Sequence, residues 1–235
     1  MSDYPRLEQA LTDALQLRRR PVAVAFRETP PAGVTKFSGS QPSGCSFWGL
    51  AADGAPFYTV PSDHYNCPVG SYTHNIPLPP EREAELPQVL SLMSDIGYIR
   101  MQEIPSVPRL PSTPAVTIYA PLGDSPVDPD VVVLSGKPGR LMLLQEAALR
   151  AGKSTLPMLG RPTCMAIPAA LSTSVVSSLG CIGNRVYTGI ADDEFYTVIS
   201  GKDLSSIAEQ MGTIQSANAA LKEYHTGRRA SLATV

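Results

Sequence analysis

The sequence predicts an α/β fold, with an α+β arrangement as its close variant, in one compact domain whose mixed sheet is flanked by helices. Three observations carry this expectation. Short apolar runs rich in β-branched residues, Pro21-Val-Ala-Val-Ala-Phe26, Ala115-Val-Thr-Ile-Tyr-Ala120 and Val131-Val-Val-Leu134, have the length and composition of buried strands. Segments with apolar residues at helical spacing stand among them. The chain has 235 residues, 43% hydrophobic and 17% charged, enough apolar side chain to bury one sizeable core.

In chain order, Leu7, Leu11, Ala14 and Leu15 fall at helical spacing and predict an opening amphipathic helix over 4–18. Arg18-Arg-Arg20 then reads as a solvated helix C-terminus that complements the macrodipole. After the strand from Pro21, the Pro, Gly and Ser content of 28–44 marks a loop that delivers Cys45, and 45–52 predicts a short helix closed by Asp53-Gly54. Phe57-Tyr-Thr-Val60 predicts a strand ended by Pro61. Cys67 stands beside Pro68 and Gly70, where a tight turn begins a helix. Residues 81–104 predict one or two helices interrupted near Pro87 and Gly97, followed by a proline-rich connection to the strand at 115–120. Gly136-Lys-Pro-Gly139 turns the strand at 131–134 into a helix over 140–151.

Cys164 opens a short small-residue helix reaching Leu171, and Val175-Val-Ser-Ser-Leu179 leads into Gly180-Cys181-Ile-Gly183. Phe195-Tyr-Thr-Val198 predicts a strand, and a last helix runs over 204–224. The domain is therefore expected to span 1–225, with a polar tail at 226–235 that contains Arg228-Arg-Ala-Ser231, a basic phosphorylation motif. The tetrapeptide at 195–198 repeats the one at 57–60, and each copy follows an Ala-Asp pair after a cysteine. Matching Cys45 to Cys181 on that basis gives an internal duplication as a hypothesis.

Several function classes lose support. A formal net charge of -2 gives no electrostatic reason to expect nucleic acid. No apolar run approaches the roughly 20 residues of a membrane span. The N-terminus lacks the features of a secretory signal, so the expected address is the cytoplasm, where cysteines serve as free thiols, metal ligands or redox groups. Neither GxGxxG nor GxxxxGK[ST] is present; Gly152-Lys-Ser154 imitates only the end of a P-loop and follows a helix.

Pro21-Val-Ala-Val, the isolated Cys45, Cys67-Pro-x-Gly70, Cys164 opening a small-residue helix, Leu-Gly-Cys181-x-Gly-x-Arg185 and Asp192-Asp193-Glu194 before a strand resemble the DUF169 family of uncharacterised bacterial and archaeal proteins. The resemblance covers the chain from about Leu7 to Ile207. It implies no established activity. This chain departs from the family's form at 63–75, where aromatic and histidine content is higher.

The four cysteines are the chemical landmark. Cys45, Cys67, Cys164 and Cys181 lie at four separate loop or helix starts, and Cys67 and Cys181 are each followed closely by glycine, which makes them counterparts in one composite site. A complete thiolate set suits an iron-sulfur cluster or a structural zinc, so the leading expectation is a metal- or cluster-binding protein serving electron transfer or redox chemistry. No CxxC pair exists, so the fold would have to gather the ligands. In a second reading, Cys67 near His64 is the nucleophile of a thiol redox enzyme. In a third, no metal is bound and the cysteines are small buried hydrophobes of a non-catalytic ligand-binding protein. Trp48, Tyr65 and Tyr72 are expected to line a flat pocket, and Arg185 to bind a small anionic ligand beside Cys181 with its planar fork. The partners expected are such a ligand or a redox protein. His74 is an alternative metal or haem ligand, though an ordinary partly exposed histidine is the simpler reading.

Overall fold

The computed structural model describes residues 3–158 and 161–232. Its first half contains α1 (Tyr4–Leu15), β1 (Val22–Arg27), β2 (Thr35–Lys36), α2 (Ser46–Asp53), β3 (Phe57–Thr59), α3 (Pro68–Thr73), α4 (Glu85–Asp95) and β4 (Val116–Pro121). The second contains β5 (Val131–Gly136), α5 (Pro138–Arg150), β6 (Thr155–Met158), α6 (Ala166–Ser172), β7 (Val175–Ser178), α7 (Ile182–Thr188), β8 (Phe195–Ser200) and α8 (Leu204–Leu232). The helices start where local chemistry directs. The Asp3 carboxylate accepts the Arg6 N–H at the start of α1, and prolines sit in the first turns of α1, α3 and α5, where a missing N–H costs nothing.

One mixed sheet holds all eight strands in the order β2-β3-β4-β1-β5-β8-β7-β6. Helices cover both faces, as expected. Val22, Val24, Val131 and Val133 point to the side of α2 and α6, whereas Ala23, Val132 and Leu134 point to the side of α1, α5 and α8. Burial on both faces explains why β4 and β5 read as continuous apolar runs rather than alternating ones. At one edge, β6 pairs only with β7 and carries Pro157, a position where an edge strand tolerates the lost donor.

The strand order repeats. β2-β3-β4-β1 in the first half corresponds to β6-β7-β8-β5 in the second, with parallel outer pairs (β2 with β3, β6 with β7) and antiparallel pairs elsewhere. The halves meet at the antiparallel β1–β5 pair, where Ala23 faces Val132. The two tetrapeptide copies do not correspond, however. Phe57 begins β3, equivalent to β7, while Phe195 begins β8, equivalent to β4. The strand registers place Tyr119 opposite Phe57 and Val198 opposite Val176, so Val176 is the counterpart of Phe57. Matching Cys45 to Cys181 fails for the same reason: Cys45 precedes α2 after β2, and Cys181 caps α7 after β7. Topology pairs Cys45 with Cys164 and Cys67 with Cys181.

Strands β2 and β6 and helix α7 lack a sequence signature. β2 has two residues, β6 contains a proline, and α7 buries only Asn184, so none carries a periodic apolar pattern. Helix α8 runs on to Leu232, through most of the expected tail. Only Leu204, Ile207 and Met211 of it are buried. Two of the three arginines of Arg18-Arg-Arg20 are ion-paired: Arg18 with Glu194 at 3.4 Å, Arg20 with Glu8 at 2.7 Å and Asp124 at 2.8 Å.

Candidate functional site

The equivalent cysteines occupy equivalent places. Cys67 is the N-cap of α3, and its Sγ accepts the Gly70 N–H at 3.3 Å; Cys181 is the N-cap of α7, and its Sγ accepts the Asn184 N–H at 3.4 Å. Both caps satisfy an N–H that the first helical turn leaves without a partner. Gly70 fits closely here, since a Cβ would lie 3.2 Å from the Cys67 sulfur, which would have to give by a few tenths of an ångström. Gly180, with φ +85, turns the chain into Cys181, whose own N–H donates to Thr163 Oγ1 at 2.5 Å. Cys45 and Cys164 are buried at the starts of α2 and of the turn before α6.

All four cysteines border one cavity of about 630 Å³. Val69 and Met165 complete this floor, and Leu86, Leu90, Met93, Ile99, Ile104 and Val107 cover it from α4 and the segment that follows. The cover lies in the long β3–β4 crossover. Pro87 sits in the first turn of α4 without breaking it, and Gly97 ends the helix with φ +73.

The convergence does not make a metal centre. Among the described residues no group of three or more His, Cys, Asp or Glu side chains is placed to hold a metal ion. Cys45, Cys67, Cys164 and Cys181 are free thiols spread over the wall of a cavity rather than closed on one point. The expectations of an iron-sulfur cluster, of structural zinc and of cluster-based electron transfer are therefore corrected. Burial pushes the Cys45 and Cys164 thiols well up, and the charges on the neighbouring cysteines push them further in the same direction. Burial also raises Cys67, against the opposing pull of the Gly70 N–H. A thiol with a raised pKa is a weaker nucleophile at neutral pH, which counts against Cys67 as the centre of a thiol redox enzyme.

His64 is not arranged to activate Cys67. It is buried, its Nε2 lies 2.8 Å from Thr59 Oγ1, and burial followed by the nearby His74 charge brings its pKa down to about 3. His74 is also buried rather than partly exposed, with Nδ1 3.1 Å from the Gly70 carbonyl and a pKa lowered by burial to about 4. Trp48 packs edge-on against Tyr196 in the core beneath α2, with ring centroids 5.2 Å apart. Tyr65 is half-buried and does not border the cavity, whereas Tyr72 does and carries the Arg109 guanidinium 4.3 Å above its ring. Arg185 donates to the carbonyls of Leu179, Ala191 and Glu194 at 2.5, 3.2 and 3.0 Å, so its fork ties down the loop between α7 and β8.

Two polar residues of the cavity wall escape sequence reasoning. Asn184 is 2% exposed, and neither amide atom has a hydrogen-bond partner among the described residues. It stands close enough to the Cys45 thiol and the Tyr196 hydroxyl to favour their ionised forms, but without hydrogen-bond geometry to either. Arg161 donates to Glu103 Oε2 at 2.9 Å and lies 5.0 Å from the Tyr98 ring centroid, while its buried Nε has no hydrogen-bond partner among the described residues. The signal for Asn184 was its place in Cys181-Ile-Gly-Asn184, three residues past a capping cysteine. Arg161 offered none.

Fold and site together define a single-domain α/β protein with a duplicated strand order and a covered, mainly apolar cavity ringed by four thiols. Residues 10–210 match the DUF169 family, described as an uncharacterised ArCR family, and the chain belongs to it. An uncharacterised protein of Methanocaldococcus jannaschii is 29% identical over 111 residues, which cover 45% of this chain and 48% of that protein, so the match spans about half its length. No solved structure matches at a significant level.

Proposed function

We propose that this protein binds a small, largely apolar molecule in the cavity between the cysteine floor and α4. The observation that carries the reading is the cavity itself. About 630 Å³ lies within the range of small-molecule sites, roughly 300–1,000 Å³, and its wall is mainly aliphatic with a few polar groups. The unpartnered amide of Asn184 supports the same reading, because a buried polar group costs about 1–3 kcal/mol unless something satisfies it. Neutral thiols fit such a wall as small, polarisable hydrophobes. A cytoplasmic address belongs to this reading, since reduced thiols suit a reducing compartment. Among the described residues no helix is long and apolar enough to cross a membrane.

The test is a fluorescence titration with N-phenyl-1-naphthylamine, a neutral apolar dye. Saturable binding with one dye per chain is expected, and Leu90→Trp, which fills space beneath α4, should weaken it by about tenfold or more without lowering the melting temperature. No saturable binding by the folded wild-type chain would end the proposal.

A further inference from the structure

We infer that the ligand of this cavity carries a single carboxylate and that Arg161 is its anchor. The inference rests on the cavity reading above and names the ligand's head group. Charge balance at one end of the cavity is the first argument. Glu103 accepts from Arg100 at 2.8 Å through one oxygen and from Arg161 at 2.9 Å through the other, so two guanidinium groups share one carboxylate. Both contacts hold the Glu103 carboxyl below its usual range, Arg100 the more strongly. Glu103 and Arg161 both border the cavity, and Arg100, whose side chain is 81% exposed, shares the Glu103 carboxylate from the solvent side and so leaves the Arg161 charge only partly balanced.

The second argument is the orphaned donor. Arg161 Nε is buried with no partner among the described residues, although only one terminal nitrogen of the same fork is engaged by Glu103. A guanidinium fork is built for two parallel bonds to a carboxylate. The Tyr98 ring at 5.0 Å and the aliphatic cover beside it offer an apolar body no second charge. The chemistry that completes this wall is an aliphatic or aromatic monocarboxylate, its tail among Leu90, Met93 and Ile104. Arg161 lies in the body of the fold, while Tyr98 and Glu103 belong to the cover, so a bound carboxylate would also sit at the contact that holds the cover down.

Decanoate and 1-decanol, which share a chain length and differ in head-group charge, would compete with N-phenyl-1-naphthylamine at pH 7. The wild-type chain should bind decanoate about tenfold or more tightly than decanol. Arg161→Met should bring the two within about twofold of each other, with decanoate affinity falling far more than decanol affinity. Glu103→Gln, which frees a donor of Arg161, should widen the preference. Equal wild-type affinity for both probes would overturn the carboxylate inference and leave the cavity reading standing. Failure of the dye and both probes would take the cavity reading with it. An Arg161→Met chain that loses decanol as severely as decanoate would make Arg161 only a latch on the cover, and the inference would fall. Should that variant not fold, the wild-type ratio and the Glu103→Gln shift decide.

Discussion

Between β3 and β4 the chain spends residues 60–115, whereas between the equivalent strands β7 and β8 it spends only 179–194. Both crossovers begin alike, with a cysteine that caps a short helix and faces the common cavity. The first then adds α4 and the segment after it, and these form the cover. The first also buries two histidines under α3, while the second contains none. The repeated scaffold thus supplies a symmetric floor, and one half alone supplies both the cover and the buried histidines. What differs between the halves is what closes the site.

The largest expected effect is acid sensitivity between pH 6.5 and about 4, centred on the two histidines of the first half. His64 and His74 stay neutral in the folded chain down to about 3 and about 4, against an ordinary value of 6.5. The unfolded chain therefore binds more protons below 6.5, and stability falls as pH drops from there towards 4. The loss approaches about 1.4 kcal/mol per pH unit for each histidine, several kcal/mol in all. Urea unfolding at pH 7 and pH 4.5 would measure it, and a His64→Gln, His74→Gln chain should lose markedly less across the same interval. Hydrogen exchange at pH 4.5 should open α3 and β3 before α7 and β7. An unchanged pH slope in the double variant would show that the asymmetry lies elsewhere.

The cover comes next. Its two ends are stitched together: the Leu110 N–H donates to the Thr73 carbonyl at 2.9 Å, and Arg109 donates to the Tyr72 carbonyl at 2.8 Å and to Asn75 Oδ1 at 2.7 Å. No residue of α4 is fully buried. Replacing 78–107 with a short Gly-Ser linker should therefore make the first crossover resemble the second while the sheet survives. Uncovering about 100 Å² of bound apolar surface costs about 2.5 kcal/mol, so dye affinity should fall roughly a hundredfold. A truncated chain that folds and binds as tightly as the whole would refute the role given to α4.

These contrasts also explain what the sequence could and could not reveal. The buried strands were legible because their β-branched runs, at 116–121 and 131–136, are buried on both faces and leave an unbroken apolar signal. The glycines beside Cys67 and Cys181 pointed to a composite site, but its chemistry was not legible: thiols gathered at a point and thiols spread around a void share the same sequence. The duplication was visible only through a misleading coincidence. Phe57 and Phe195 sit in non-equivalent strands, and the true counterparts, Phe57 and Val176, share only their apolar character. Strand register carries that equivalence, and register arises from pairings between distant residues. Arg161 stayed hidden for a related reason, because its partners Tyr98 and Glu103 lie some sixty residues away in a crossover without periodic signal.

The smallest effect tests the symmetry of the floor directly. Cys67 and Cys181 each accept one otherwise unpaired N–H at the start of a short helix, over nearly equal distances of 3.3 and 3.4 Å. Removing an N-cap acceptor costs about 0.5–2 kcal/mol, and a sulfur acceptor belongs in the lower part of that range. Cys67→Ala and Cys181→Ala should each destabilise the chain by about 1 kcal/mol, with the two costs agreeing within about 0.5 kcal/mol. Restoring an acceptor with serine should recover part of each loss. Because the two caps lie in different crossovers and share no hydrogen bond, the double alanine variant should show the sum of the single costs. A deficit from additivity would mean instead that the two sulfurs are coupled across the cavity, and the size of that deficit would measure how strongly one half of the floor depends on the other.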